Sequence, residues 1–179
     1  MRYLIVFTLL LLSSCSEKNS RNETEIDLSS KRLTTIPDSV FEFKNLTKLK
    51  LGAKEVTFYP PLSALPESDT EKNRISKLPE KISKLKNLKV LIINSNELKS
   101  LPNSISKLEN LEVLDLALNK ELNIITELPK LKLLPKLKIL KITDSKFNMA
   151  DLEIIKMSVN PKIEIISSVN DYMESYSKQ

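Results

Sequence analysis

The chain has 179 residues, a formal net charge of +5 and a mean hydropathy of −0.18, one domain's length with a lysine-rich, solvated surface. It holds no histidine, a single cysteine and a single glycine, which excludes a histidine base or metal ligand, an internal disulfide and a glycine-rich phosphate loop. Aromatic residues make up 5%, and the basic residues are interspersed with acids, so the clustered basic face with stacking rings that nucleic-acid binding uses is missing.

At the N-terminus, Arg2 precedes an apolar or near-apolar run over residues 3–12. The run is too short to span a bilayer as a helix but suits the apolar core of an export signal. Leu12-Ser13-Ser14-Cys15 follows, an aliphatic residue, two small residues and a cysteine. This resembles the lipobox of bacterial lipoproteins. The resemblance implies a signal peptide over residues 1–14, cleavage before Cys15, and lipidation of Cys15 by diacylglycerol on its sulfur and an acyl chain on its amine. Two or more chains anchor a protein stably where one does not. Residues 15–24 are then the lipidated cysteine and a polar, flexible linker. The residue after the cysteine is Ser16, not the Asp that retains many such lipoproteins in the inner membrane. The resemblance therefore favours the outer membrane of a bacterial cell envelope, with the periplasmic or surface face left open.

The next segment repeats itself. LPEKISKLKNLKVLIINSN, residues 78–96, returns 23 residues on as LPNSISKLENLEVLDLALN, residues 101–119. From Leu88, one unit places Leu91, Ile93, Asn96, Leu98, Leu101-Pro102, Ile105, Leu108 and Asn110 at fixed spacings. Leu91 and Ile93 are two apart, the period of a short strand with both side chains on one face. Ile105 and Leu108 are three apart, as in a helical or extended turn on the opposite wall. Pro102, with no amide hydrogen and a fixed φ, ends strand pairing and starts the return path. A single such unit cannot bury its leucines without neighbours.

The pattern resembles the leucine-rich repeat, in its short class with LP at the turn. The resemblance implies an α/β fold: a short, right-handed, curved solenoid of five to six units, with a concave parallel β-sheet, a convex wall of turns or 3₁₀ pieces, and a C-terminal cap. Repeats extend over residues 25–147. The first unit carries Ile26, Leu28, Lys31, Leu33 and Ile36-Pro37; the second carries Leu49, Leu51, Lys54, Val56 and Tyr59-Pro60. In the third, Ser68 and Thr70 stand where the strand leucines belong, although Asn73, Ile75, Leu78 and Pro79 are in register. Either this unit is a shortened repeat or residues 61–72 loop out. Later strands fall at Leu114/Leu116 and, after a longer convex segment with Pro129 and Pro135, at Leu140/Ile142. The repeat's asparagine is expected to bond the backbone of the adjacent unit as a ladder. Its row reads Lys31, Lys54, Asn73, Asn96, Asn119, Ser145, and the two lysines, which donate but cannot accept, predict looser N-terminal units.

Residues 148–169 read as the cap. Asn148 can cap a helix with Asp151 in its first turn, Leu152, Ile155 and Val159 form its apolar stripe, and Ile163 and Ile165 alternate as a closing edge strand. Residues 170–179 are polar and are expected to fray.

The residues between strand leucines point out of the concave sheet, in rows about 4.8 Å apart. The position before the first strand leucine reads Glu25, Lys48, Glu67, Val90, Val113, Ile139; the position between the two leucines reads Asp27, Lys50, Asp69, Ile92, Asp115, Lys141. The N-terminal halves alternate in sign, which predicts a cross-strand charge ladder. The C-terminal halves gather Val90, Ile92, Val113 and Ile139 on a face expected to be open, and exposed apolar patches mark binding sites. With polar neighbours Asn94, Asp115 and Lys141, these are the candidate partner-binding residues. The alternative is that β-branched residues simply suit strands. The carboxylate pair Asp69 and Asp115, two repeats apart, would be roughly 10 Å apart, too far and too exposed for acid–base work. No catalytic residue, metal site, cofactor or small-molecule substrate is expected. The expected function is a lipid-anchored protein-binding module of the bacterial envelope, tethered to the membrane through Cys15. A surface adhesin-like protein and a purely structural spacer are the alternatives.

Overall fold

A computed structural model describes residues 23–54 and 72–177. Cys15, the signal and most of the linker, and the positions Ser68 and Thr70, lie outside the described residues. Six three-residue strands form one parallel sheet in sequence order: β1 (Glu25–Asp27), β2 (Lys48–Lys50), β3 (Val90–Ile92), β4 (Val113–Asp115), β5 (Ile139–Lys141) and β6 (Glu164–Ile166). The strands are short because only the residues around the central leucine can pair before the chain must turn to the convex wall.

The convex wall begins as 3₁₀ turns at Asp38–Glu42, Glu80–Lys84 and Asn103–Lys107. Each follows a proline, Pro37, Pro79 or Pro102, with φ between −57° and −75°. The ring sets the φ that a turn needs, and its missing donor strands nothing there. The longer segment before β5 is helical, as α1 (Ile124–Leu131), started by Asn123, whose side chain accepts from the Ile125 amide. Pro129 is tolerated inside this short helix. Helix α2 (Met149–Ser158) starts at the expected Asn148 cap, which is a full capping box, with Asn148 and Asp151 each bonding the other's backbone amide at 2.9 Å. It turns Leu152, Ile155 and Val159 onto the end of the core.

That core is a stack of leucine layers. Leu49, Leu91, Leu114 and Leu140, all fully buried, come from adjacent strands, and Ile82, Ile105 and Leu131 close the layers from the convex side. Each layer removes apolar area from water only against the next, at roughly 25 cal/mol per Å².

β2 pairs directly with β3, Leu49 beside Leu91, although 42 positions separate them. The second and third sequence units therefore supply a single turn of the solenoid: the strand comes from the second, and the asparagine, Ile75, Leu78, Pro79 and 3₁₀ turn come from the third. The lysine expected in the ladder at Lys54 is displaced by Asn73. The Asn73 side chain accepts from the amides of Lys31 (3.0 Å) and Leu33 (2.9 Å) and donates to the carbonyls of Leu28 (2.9 Å) and Leu51 (2.7 Å). Asn96 and Asn119 repeat the arrangement, accepting from Ile75 and Leu98 and donating to Leu51 and Ile93. Ser145 ends the row with a 3.2 Å bond to the Leu116 carbonyl. The expected looseness at two N-terminal positions thus reduces to Lys31, whose own amide is held by Asn73.

The tail does not fray over its described part. Residues Val169–Ser177 form helix α3. The Ser168 hydroxyl accepts from the Asp171 amide (3.1 Å) and donates to the Asp171 carboxylate (2.6 Å), which starts the helix. Tyr172, fully buried, fastens it to the sheet. A mostly polar composition hid a helix anchored by the buried Tyr172 side chain.

Candidate functional site: the concave face and its helix

The concave face has two halves. Over β1 and β2 it is an open charge ladder. The Lys50 ammonium lies 3.0 Å from Glu25 and 3.8 Å from Asp27, and Lys48 lies 3.6 Å from Glu25. The Lys50 hydrogen bond holds the Glu25 carboxyl below the usual carboxylate range, and the same bond raises Lys50. Burial works against ionised Asp27, but the hydrogen bonds from Ser29 together with the Lys50 and Lys54 charges outweigh it and lower its pKa. The rows pass from Lys48 directly to Val90 and from Lys50 to Ile92. Glu67 and Asp69, which the sequence rows set between them, lie outside the described residues.

Along the row of Ile92, Asp115 and Lys141, and at Asn94, the face is buried, contrary to the expected open patch. Ile92 is 8% exposed, Asn94 0%, Asp115 2% and Lys141 1%. Val90, Val113 and Ile139 are half-buried. The cover is α3. The Tyr172 hydroxyl donates to Asp115 Oδ2 (2.9 Å) and accepts from Asn94 Nδ2 (2.6 Å). The Lys141 ammonium stands 5.2 Å from the centre of the Tyr172 ring and donates to the Ser175 hydroxyl (2.9 Å). Ala117 and Ile166 pack beneath the ring, with Ala53, Leu118 and Ile139 at the margin.

The same polar groups are also held from the sheet side. Asp115 Oδ1 accepts from the Ala117 amide (3.1 Å), and Asn94 Oδ1 accepts from the Ala53 amide (2.9 Å). Gly52 makes room for Asn94: a Cβ there would lie 1.7 Å from Asn94 Oδ1. Burial pushes the Asp115 carboxyl up to about 6, against the pull of Lys141 and the hydrogen bonds, and burial also lowers Lys141 despite the Asp115 charge. Tyr172 is the residue that sequence reading missed. Ser168 with Asp171 three positions on, just before it, is the helix-start signal that could have found it.

A curved stack of this kind, with LxL strands on one wall and asparagines bridging successive units, is a leucine-rich-repeat solenoid. The leucine-rich-repeat family model matches residues 71–120. Among solved structures, a leucine-rich-repeat protein of Leptospira interrogans is similar at 28% identity and a TM-score of 0.55, over 81% of this chain and 37% of its own. The functional domain of InlJ from Listeria monocytogenes is more distant, at 17% identity and a TM-score of 0.34, over 81% of this chain and 35% of that one. The chain thus spans little more than a third of either structure. The comparison with curated proteins gives no match.

Proposed function

We propose that this chain is a lipid-anchored protein-binding module of a bacterial envelope, without enzymatic activity, held at the membrane through Cys15 and binding a protein partner on its concave face. The observation that carries the reading is the surface itself: a parallel sheet that displays rows of variable side chains, as leucine-rich repeats that bind proteins do. The similarity to a bacterial leucine-rich-repeat protein supports the bacterial setting. The lipobox-like Leu12-Ser13-Ser14-Cys15 supports the anchor, and Ser16 supports the outer membrane.

In the folded chain the partner's first contact is the uncovered part of the face, where Lys48 and Lys50 border Val90, and Val113 follows across β4. Val113→Glu, alone and with Lys50→Glu, tests this by crosslinking in cells. A folded variant that loses the crosslinked partner supports the reading, and one that keeps it places binding elsewhere. Cys15→Ala tests the anchor by fractionation. Release of the protein from membranes is expected, and retention refutes lipid anchoring. Protease treatment of intact cells separates the two sides of the outer membrane: cleavage supports the adhesin-like reading, and protection supports a periplasmic partner.

A further inference from the structure

Three features single out the cradle beneath α3. First, the main solenoid core is complete without it: α2 and β6 close the stack, while Tyr172 belongs to a separate small cluster with Ala117 and Ile166. Second, little of the described part of α3 is buried. Of its described side chains only Tyr172 is buried, while Asn170, Asp171, Met173 and Glu174 are exposed. Third, the cradle is built from the sheet side. Main-chain amides occupy one oxygen each of Asp115 and Asn94, which leaves one acceptor, Asp115 Oδ2, and one donor, Asn94 Nδ2, converging on a single point. A hydroxyl that both donates and accepts satisfies that pair. Lys141 flanks the ring position and an apolar floor lies below. The chain's single glycine, Gly52, stands where any side chain would push Asn94 out of place.

We infer that the cradle of Asn94, Asp115 and Lys141 is a recognition site for a tyrosine side chain, filled in cis by Tyr172, and that a tyrosine-bearing segment of the protein partner takes it when α3 lifts. This rests on the proposed concave-face binding and specifies its chemistry. Phenylalanine would fill the ring position and leave Asp115 and Asn94 buried without their shared partner, so the site discriminates by the hydroxyl.

The test uses the full chain carrying Tyr172→Ala and, as probe, a synthetic peptide of residues 167–179. The variant is expected to bind the peptide. Wild type, its cradle occupied, should bind roughly tenfold or more weakly, and the same peptide carrying Tyr172→Phe should lose a similar factor. A folded variant that ignores the peptide, or that takes both peptides equally, overturns the inference. Should Tyr172→Ala fail to fold, hydrogen exchange on wild type decides. α3 amides that exchange through local opening, faster than the β3 to β5 amides, support a displaceable helix. α3 amides that exchange only with the whole solenoid overturn it. Peptide binding that fails while Val113→Glu still loses the partner sinks this inference alone. Partner capture that survives Val113→Glu sinks the concave-face reading.

Discussion

Two residues show how little slack the repeat leaves. Asn73 is fully buried and ties four backbone groups of the first two turns. Asn73→Ala removes all four bonds in a place water reaches poorly, and a stranded buried polar group costs about 1–3 kcal/mol. Some of those groups will find water in the space vacated, so a loss of about 2–4 kcal/mol in urea unfolding is expected. Gly52 acts by absence. Gly52→Ala puts a methyl into the position of the Asn94 carbonyl oxygen. Overpacking of this kind costs about 1–3 kcal/mol. The same change should cost clearly less with Asn94→Ala, because the colliding atom is gone, and a double-mutant cycle reads the difference.

At the scale of elements, α3 is the unusual one, because its closure places an ionisable pair in a dry site. Asp115 faces Lys141 from β5, Tyr172 from α3, Asn94 from the turn after β3 and the Ala117 amide. Its pKa, about 6, lies above the ordinary carboxyl value of 3.8. A raised carboxyl contributes stability that is fully present below the ordinary value and is lost as pH rises through about 6. Closure of α3 should therefore tighten on acidification. Most of the loss falls between the ordinary value of 3.8 and about 6, and only about 0.4 kcal/mol of it remains between pH 6 and 7.5, with the desolvated, lowered Lys141 setting its own dependence at higher pH. Hydrogen exchange of α3 amides, corrected for the intrinsic rate at each pH, should show more protection at pH 5.5 than at pH 7.5. Asp115→Asn should flatten that difference, and an unchanged difference would assign it to another group. Other elements are bound across units by carboxylates on the surface. Glu80, for example, bonds the amides of Asn103 and Ser104 at the start of the next 3₁₀ turn, which holds its carboxyl low.

For the molecule as a whole, stability resides in contacts between successive turns. Leu114, fully buried in the middle of the stack, touches layers on both sides. Leu114→Ala should cost roughly 2–5 kcal/mol, more than Leu152→Ala at the cap, where the layer has one neighbour and the surroundings can collapse. Urea midpoints of the two variants check the order.

Much of this architecture is legible in the chain. Period two at Leu91 and Ile93, the prolines at the turns, Asn96 and Asn119, and the Asn148–Asp151 cap are local signals, and each appears where its spacing places it. These patterns persist because a side chain's direction in a strand or a cap follows from the backbone beside it. The charge ladder of Glu25, Asp27, Lys48 and Lys50 follows too, since strands in register set those groups across from one another. What required the tertiary structure was of another kind. Counting units at a constant offset cannot reveal that β2 lies beside β3 or that Asn73 serves the turn begun by Leu49 and Leu51, because space can be closed around any length of intervening chain. Nor could it show that Ile92, Asn94, Asp115 and Lys141 are covered. Tyr172 meets three of them, Asn94, Asp115 and Lys141, from 57 positions after Asp115, and a contact at that separation leaves no periodic trace in the sequence.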